Sequence, residues 1–568
     1  MCGFTGCVSA QADLHTQRIA HRGPDDEGFF TDDQVTLGFR RLAIQDPTDA
    51  GHQPMQSADG RYQIVFNGEI YNFTELGAEL NPKTHCDTEI LLELFTVMGP
   101  DVLHELRGMF AFAIWDTHEK TLFAARDPFG IKPFFYTFAE GTLRFASEKK
   151  ALLDIGDHGE LDTDSLRRYL TLQYVPAPAT MSPAVRVLPA GHLMTFKAGQ
   201  APEIVRYWRP QLRPAAQPSL DTPQRILAAL EDSVAVHLRS DVPLGAFLSG
   251  GIDSAIVCAL AAKHRPDLQT FTVGFEQEGY SEIDRALETA EALGVKANPY
   301  VITPVEFMAN LPRIVWHLDE PFADAAAIAL WFLAREARQQ VKVVLSGEGA
   351  DELFGGYHVY REPAALAQSY LGADQVYVDD EVDEVAVVRG GSARDVTAPI
   401  LRQARGLDEV ATRQLVDLNL WLPGDILTKA DRMTMAHGLE LRVPFLDREV
   451  MAVAAGLSRA DKLGADTTKI ALRRAVRGLV PDSVANRAKL GFPVPIRFWL
   501  RDELHDFAEQ VLREAATEQY INRAAALDML NRYRLGADFD WRRLWVLICF
   551  SLWHQVHVEG RYDSQAWT

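Results

Sequence analysis

The sequence predicts a two-part chain: an α+β half built from packed short strands, then an α/β half with a doubly wound parallel sheet. Three observations carry this. The length, 568 residues, exceeds the ~250–300 residues at which a single core stops growing. In the first half, Tyr62-Gln-Ile-Val-Phe66, Gly108-Met-Phe-Ala-Phe-Ala-Ile-Trp115 and Thr121-Leu-Phe-Ala-Ala125 are short strand-like runs punctuated by Gly, Asp and Pro, as packed sheets require. From Val242 onward, apolar runs of strand length alternate with helix-forming stretches and empty into glycine loops.

Composition narrows the function. With 47% hydrophobic and 24% charged residues the chain is a globular protein, and its net charge of −21 opposes nucleic acid or anionic membrane as a main partner, because the phosphate contribution would be repulsive. The N-terminus has no basic start or sustained apolar core, so it does not read as a secretory signal. Leu544-Trp-Val-Leu-Ile-Cys-Phe-Ser-Leu-Trp553 is too short to span a bilayer and reads as a buried helix. Five cysteines, at 2, 7, 86, 258 and 549, form no Cys-x-x-Cys pair, which fits a reduced cytoplasm. No repeat and no zinc-spaced His/Cys cluster is evident.

In chain order, Cys2 comes first. Removal of the initiator methionine leaves a residue with both a thiol and an α-amine, and an amine of pKa about 7.7–8.0 can serve as base for its own thiol. A small buried cysteine is the plainer reading, and it suits Cys7. Helices are expected over Thr88 to Met98 and Asp101 to Leu106. The blocks His21-Arg-Gly-Pro-Asp25, Arg40-Arg-Leu-Ala-Ile-Gln45, Gly51-His-Gln-Pro54, Phe66-Asn-Gly-Glu-Ile-Tyr-Asn72, Cys86-Asp-Thr-Glu89 and Arg126-Asp-Pro-Phe-Gly-Ile-Lys-Pro133 follow. In this order they resemble the class II glutamine amidotransferase domain.

That resemblance implies a four-layer αββα N-terminal-nucleophile fold that hydrolyses glutamine at Cys2. It implies an oxyanion hole from Asn67 and Gly68, although Asn-Gly alone is also a common tight turn. It places the glutamine α-carboxylate on Arg41, the α-ammonium near Glu69 and Asp87, and the rest of the substrate along Leu42, Ala43, Ile44 and Gln45. This domain is expected over residues 2–205, with Val185-Arg-Val-Leu-Pro-Ala-Gly-His192 among its closing strands. Arg209 to Pro223 holds four prolines and no periodic apolar face, so residues 206–223 read as a linker. The second domain is expected over 224–568, opening with a helix from Gln224 to His237.

The second half is organised around Val242-Pro-Leu-Gly-Ala-Phe-Leu248 followed by Ser249-Gly-Gly-Ile-Asp-Ser254 and Ala255-Ile-Val-Cys-Ala-Leu-Ala-Ala262, which read as strand, glycine loop and helix. Such a loop binds phosphate through backbone amides and the helix N-terminus. It lacks the lysine of the common Gly-x-x-x-x-Gly-Lys-Ser/Thr motif, so pyrophosphate suits it better; alone it also fits an ordinary βα turn. The loop resembles the ATP pyrophosphatases, apart from Ala255 where that family usually has a second hydroxyl. Further strands are expected at Thr270-Phe-Thr-Val-Gly-Phe275 and Val341-Lys-Val-Val-Leu345, and a packed helix over Ala325 to Ala337. Ser346-Gly-Glu-Gly-Ala-Asp-Glu-Leu-Phe-Gly-Gly-Tyr357 sets three carboxylates among four glycines, which suits magnesium or proton removal, or a solvated acidic turn. Asp379-Asp-Glu-Val-Asp-Glu384 reads as a solvated acidic loop.

The stretch Ser346–Tyr357 resembles the second signature of asparagine synthetases, as do Leu318-Asp-Glu-Pro-Phe-Ala-Asp324, Met435 to Asp447 and Arg487-Ala-Lys-Leu-Gly-Phe-Pro-Val-Pro495. The resemblance implies that ATP adenylates aspartate to β-aspartyl-AMP, which ammonia made at Cys2 then attacks after crossing the interior. It implies pyrophosphate on Ser249, Gly250, Gly251, Asp253 and Ser254, Mg²⁺ through Asp253 and Asp351, and adenosine near Leu248, Val273, Ser346 and Gly347. Glu348 is the expected base or participant in adenylation, and Lys489 the cation meeting phosphate charge. Glutamine, aspartate and ATP are the expected partners; a homodimer stays open. So do a relative that amidates another carboxylate, such as meso-diaminopimelate, and a noncatalytic scaffold on the same fold.

Overall fold

The computed structural model describes residues 2–8, 14–80, 82–154, 156–362, 375–487, 491, 493–564 and 567. Lys489 lies outside the described residues. In the N-terminal half two antiparallel six-stranded sheets pack face to face. One runs in the order Val185–Val187, Phe135–Ala139, Thr142–Ala146, Cys2–Val8, Val35–Arg41, Asp26–Thr31; the other runs Glu203–Arg206, His192–Lys197, Thr121–Arg126, Gly108–Asp116, Tyr62–Ile70, Met55–Gln56.

Alternation along the strands explains the layering, because successive side chains point to opposite faces. In Gly108–Asp116, Ala111, Ala113 and Trp115 enter the core between the sheets with Phe4, Phe39, Phe134 and Phe145. Phe110, Phe112 and Ile114 face outward onto Leu91, Leu92 and Phe95 of the helix Asp87–Met98. Ile19 packs the outer face of the other sheet against Ala146 and Ala151, which completes the αββα order. Full burial of such side chains contributes about 1.5–3 kcal/mol each.

The C-terminal half holds a five-stranded sheet, ordered Lys296–Ile302, Gln269–Phe275, Leu244–Phe247, Val343–Leu345, Glu440–Arg442. Every pairing in it is parallel. The chain leaves the central strand Leu244–Phe247 toward one edge and later returns on its other side. The crevice between the C-terminal ends of Leu244–Phe247 and Val343–Leu345 is therefore the topological switch point, where such sheets bind ligands. Helices cover the sheet, and Leu544 to Trp553 is buried throughout, as its apolar run requires. Among the described residues, no helix is long and apolar enough to cross a membrane.

Two local expectations change. Asp379–Val385 is a helix rather than a solvated loop: its acids sit at the positive N-terminal end, Val382 and Val385 are buried, Glu381 accepts from the Val378 N–H at 3.1 Å, and Asp383 pairs with Arg167 at 2.7 Å. The segment expected as a helix from Asp101 to Leu106 is a tight 3₁₀ turn over Gly99–His104, with Pro100 at its start.

Between Arg206 and Thr222 the chain has no regular element, and its backbone lies along the C-terminal half through Arg213 N–H to Ala455 O at 2.8 Å and Ala215 N–H to Gly456 O at 3.1 Å. The halves meet through buried charge. Arg22, fully enclosed, donates to Glu148 at 2.9 Å and to both Asp431 oxygens at 2.8 and 3.1 Å. Lys132 approaches Asp431 at 3.6 Å, and Arg432 reaches Glu148 at 2.8 Å and Asp319 at 3.3 Å.

Removing one member of such a group leaves an uncompensated buried charge, at a cost of about 3–5 kcal/mol. Asp431→Asn is therefore expected to lower stability by about 3 kcal/mol in chemical denaturation, whereas Lys263→Met, which breaks the exposed Lys263–Glu231 pair, changes it by less than ~1 kcal/mol. Equal small effects of the two substitutions would rule out a stabilising role for the seam.

Candidate functional site

The strand alternation that builds the first core also assembles a recess at one end of it. Cys2 has the parity of Phe4 and Val8, and Arg41 that of Val35, Leu37 and Phe39, so both face the space between the sheets, where Cys2 and Arg41 are register partners. On the opposing sheet Asn67 and Glu69 continue the inward parity of Val65. Four residues from three strands thus converge because each occupies the last inward positions of its strand. Cys2, Arg41, Leu42, Ile44, Gln45, Gly68, Glu69 and Asp87 all line the recess. Leu42 and Ile44 also reach into the core of the C-terminal half, and the Ala43 N–H is held by Asp25 at 2.9 Å.

The backbone nitrogen of Cys2 donates to Asn67 Oδ1 at 3.0 Å. That contact orients the Asn67 amide, whose Nδ2 is buried and has no hydrogen-bond partner among the described residues. Such a preoriented donor is available to a developing negative oxygen. Burial pushes the Cys2 thiol up, against the pull of the Leu42 N–H, so the resting thiol keeps its proton and needs a base to attack. Arg41 is aimed by the carbonyls of Thr48 at 2.7 Å and Asp46 at 2.5 Å. Its fork passes so close to Gly51 that a Cβ there would lie 1.9 Å from Nη2; sequence reading quoted Gly51 without seeing this role.

The two acids of the recess differ in their partners. Asp87, at the first turn of its helix, accepts from the Ile70 N–H at 2.9 Å; burial raises its carboxyl above the usual range. Glu69 accepts from Gln45 at 2.8 Å and from Arg442, a residue of the C-terminal half, at 3.0 Å. Burial pushes the Glu69 carboxyl up to about 8, against the pull of Arg442.

In the crevice of the parallel sheet the loop Ser249–Ser254 is braced internally. Ser249 N–H donates to Ser254 Oγ at 3.1 Å, the two hydroxyls lie 3.0 Å apart, and Gly251 N–H donates to Ser249 Oγ at 3.1 Å. Gly251 starts the helix Ile252–His264, so its first amides face the loop. Gly250 abuts Arg285, and Arg487 reaches the Gly250 carbonyl at 3.0 Å. Ala255 is wholly buried in the core. Leu248 and Val273 are buried beside the loop, and the Leu248 N–H pairs with Phe271 O at 2.9 Å. Ser346 N–H pairs with Arg442 O at 2.9 Å, and Gly347 comes so near Asp253 and Ser254 that a Cβ would touch both at 3.0 Å.

The crevice also holds cations that sequence reading missed. Lys469, almost fully buried, bridges Asp253 at 2.6 Å and Asp351 at 2.7 Å. Burial opposes its charge, but the two carboxylates more than offset that and raise its pKa. Two hard oxygen donors therefore converge on one cation, as a Mg²⁺ site requires. Lys469 adopts φ 57°, a left-handed conformation unusual for lysine, and nothing in Thr467-Thr468-Lys469-Ile470 signals it. Deeper in, Lys429 is buried against Asp324 and Asp425, the latter at 3.4 Å. Desolvation raises the Glu348 carboxyl, Lys429 draws it down, and Asp351 and Asp324 push it up again.

The sequence profile of the glutamine amidotransferase domain matches residues 1–208, and that of asparagine synthase matches residues 225–555. Asparagine synthetase [glutamine-hydrolyzing] 1 of Bacillus subtilis (strain 168) is 40% identical, with 99% of this chain and 98% of that protein covered. A relative from Mycobacterium tuberculosis (strain ATCC 25618 / H37Rv) is 46% identical over 98% of both chains. Asparagine synthetase B [glutamine-hydrolyzing] of Escherichia coli (strain K12) is 29% identical over 91% of this chain and 86% of that protein.

Gly51→Ala tests the recess. Displacing the Arg41 fork is expected to raise the KM for glutamine at least tenfold in glutamate-release assays, since a charged hydrogen bond to carboxylate is worth about 1.5–3 kcal/mol. An unchanged KM would show that Arg41 does not hold the substrate.

Proposed function

Because the chain belongs to the family of glutamine-hydrolysing asparagine synthetases, we propose that it makes L-asparagine from L-aspartate through β-aspartyl-AMP, using ammonia freed at Cys2 and carried through the interior. The observation that carries the reading is the presence in one chain of a preoriented Cys2–Asn67 pair and a carboxylate-rich glycine-loop crevice.

In the recess, Arg41 takes the glutamine α-carboxylate, and Glu69 with Asp87 takes the α-ammonium. The Cys2 sulfur attacks the side-chain carboxamide while its proton passes to the α-amine exposed by loss of Met1. Asn67 Nδ2 and the Gly68 N–H hold the oxyanion. Collapse returns a proton to the leaving nitrogen, which departs as ammonia, and water then cleaves the thioester to glutamate.

In the crevice, ATP lies with adenosine near Leu248, Val273, Ser346 and Gly347 and its β- and γ-phosphates on Ser249, Gly250, Gly251, Asp253 and Ser254. Asp253 and Asp351 would hold Mg²⁺, which when bound neutralises phosphate charge. The aspartate side-chain carboxylate attacks the α-phosphorus and pyrophosphate leaves, with Lys469, and Lys489 from the neighbouring motif, meeting the charge. Ammonia then displaces AMP from the acyl carbon, and Glu348 accepts its proton.

Cys2→Ala is expected to abolish glutamine-dependent synthesis while ammonium salts still support it; equal loss of both in a folded protein would refute the division of labour. Intact-mass measurement should show Met1 removed from active enzyme, and its retention would contradict the free-amine mechanism.

Lys469→Ala is expected to slow aspartate-dependent pyrophosphate release roughly a hundredfold, the usual effect of losing a group that stabilises transition-state charge, while glutamine hydrolysis persists. Wild-type pyrophosphate release would remove Lys469 from the mechanism. With the unsubstituted enzyme, the absence of asparagine at saturating aspartate would overturn the acceptor assignment.

A further inference from the structure

We infer that Arg442, a residue of the C-terminal half, is a positioning residue for glutamine: it aims Glu69 at the substrate's α-ammonium, so the recess is complete only when both halves are joined. The inference rests on the reading above that Glu69 and Asp87 bind that ammonium.

The guanidinium is fully enclosed and fixed at four points. Nε donates to Glu440 at 2.5 Å, Nη1 donates to the carbonyls of His237 at 2.7 Å and Arg239 at 2.5 Å, and Nη2 donates to Glu69 at 3.0 Å. Its plane also lies near the Tyr71 ring, 5.7 Å from the centroid. A fork held this firmly presents one donor direction to Glu69. The other Glu69 oxygen takes Gln45 Nε2, and Gln45 is itself tied to the Arg239 carbonyl at 3.1 Å. Both oxygens of the recess acid are thus set from the segment 237–239 and the strand Glu440–Arg442.

The chemistry makes this contact consequential. Burial, with the repulsion of Asp87 and Glu440, pushes the Glu69 carboxyl up to about 8 even beside Arg442, so the guanidinium and the incoming ammonium together favour its ionised form. A protonated Glu69 could not pair with an ammonium group. The same residue touches the other site through its backbone: Leu345 pairs with Arg442 in the sheet, and the Arg442 carbonyl takes the N–H of Ser346 in the ATP loop. One residue therefore places its side chain in the glutamine recess and its main chain against the ATP loop.

The test is steady-state glutamine hydrolysis by full-length Arg442→Met and Arg442→Lys, with glutamine and with its analogue lacking the α-amine, 4-carbamoylbutanoate. For Arg442→Met the expected result is a KM for glutamine raised at least tenfold with kcat within about threefold of wild type, and less than a twofold change in KM for the analogue. Arg442→Lys, which keeps the charge but not the fork, should lie between. Equal losses with both substrates, or a fall in kcat alone, would overturn the inference and assign Arg442 a structural role. If Arg442→Met fails to fold, Arg442→Lys decides by the same comparison: a selective rise in the glutamine KM supports the inference and an equal change with both substrates overturns it. Wild-type enzyme that does not discriminate between glutamine and the analogue would instead overturn the parent reading of Glu69 and Asp87.

Discussion

The two halves are held in register by charge that has no access to water. Arg22 lies between Glu148, on its own side, and Asp431, across the interface, and its Nε also holds the Cys2 carbonyl at 3.1 Å. Taking such groups from water costs several kcal/mol each, and that cost is offset only while every partner is in place. Apolar surfaces can slide against one another with little change in energy, whereas this seam permits essentially one geometry. The helix Leu427–Met435 carries Asp431 and Arg432 toward the seam and Lys429 toward Asp324 and Asp425 in the crevice. The position of Cys2 is therefore referred, through Arg22 and one helix, to the crevice of the parallel sheet.

The recess residues were named by the ordered motifs of the amidotransferase resemblance, and strand parity in the structure explains why they meet. Once Tyr62–Ile70 is a strand with Val65 inward, Asn67 and Glu69 must be inward too, and Cys2 and Arg41 obey the same parity in their own strands. The glycine loops were legible from local pattern: a strand that ends in Ser-Gly-Gly before a helix has few other conformations. The ordered motifs then identified the family, which neither composition nor periodicity could have done.

What was not legible depends on contacts made far along the chain. Lys469 is separated by more than 200 residues from Asp253, and nothing in its neighbouring sequence signals its left-handed backbone. Lys429 sits in an unremarkable helical stretch, and Arg442 was quoted only as part of a motif. The acidic stretch 379–384 is solvated as its charges suggest, with Asp380, Asp383 and Glu384 exposed, but it is a helix rather than a loop because burial of Val382 and Val385 and ion pairs from Arg167 and Arg543 appear only after folding. Sequence pattern reports what a segment does to itself; a cation's partner is chosen by the tertiary fold.

The crevice shows why those missed cations matter. Asp253, Asp324, Glu348, Asp351 and Asp425 all converge on a site proposed to admit a nucleotide triphosphate, in a chain whose net charge is already −21. Like charges at a few ångströms in a partly desolvated cleft repel strongly, so glycine-loop amides alone are a poor match for the anion. Lys469 and Lys429 resolve this by dividing the carboxylates between them: Asp253 and Asp351 share one lysine, Asp324 and Asp425 the other. Glu348, the acid proposed to handle ammonia's proton, has no direct ion pair among the described contacts and is raised by its enclosure. Lys429 holds Asp324 below the usual carboxylate range against its burial, while burial raises both Asp425 and Glu348; the crevice thus holds acids of both kinds, the difference a reaction with both phosphate binding and amine deprotonation requires.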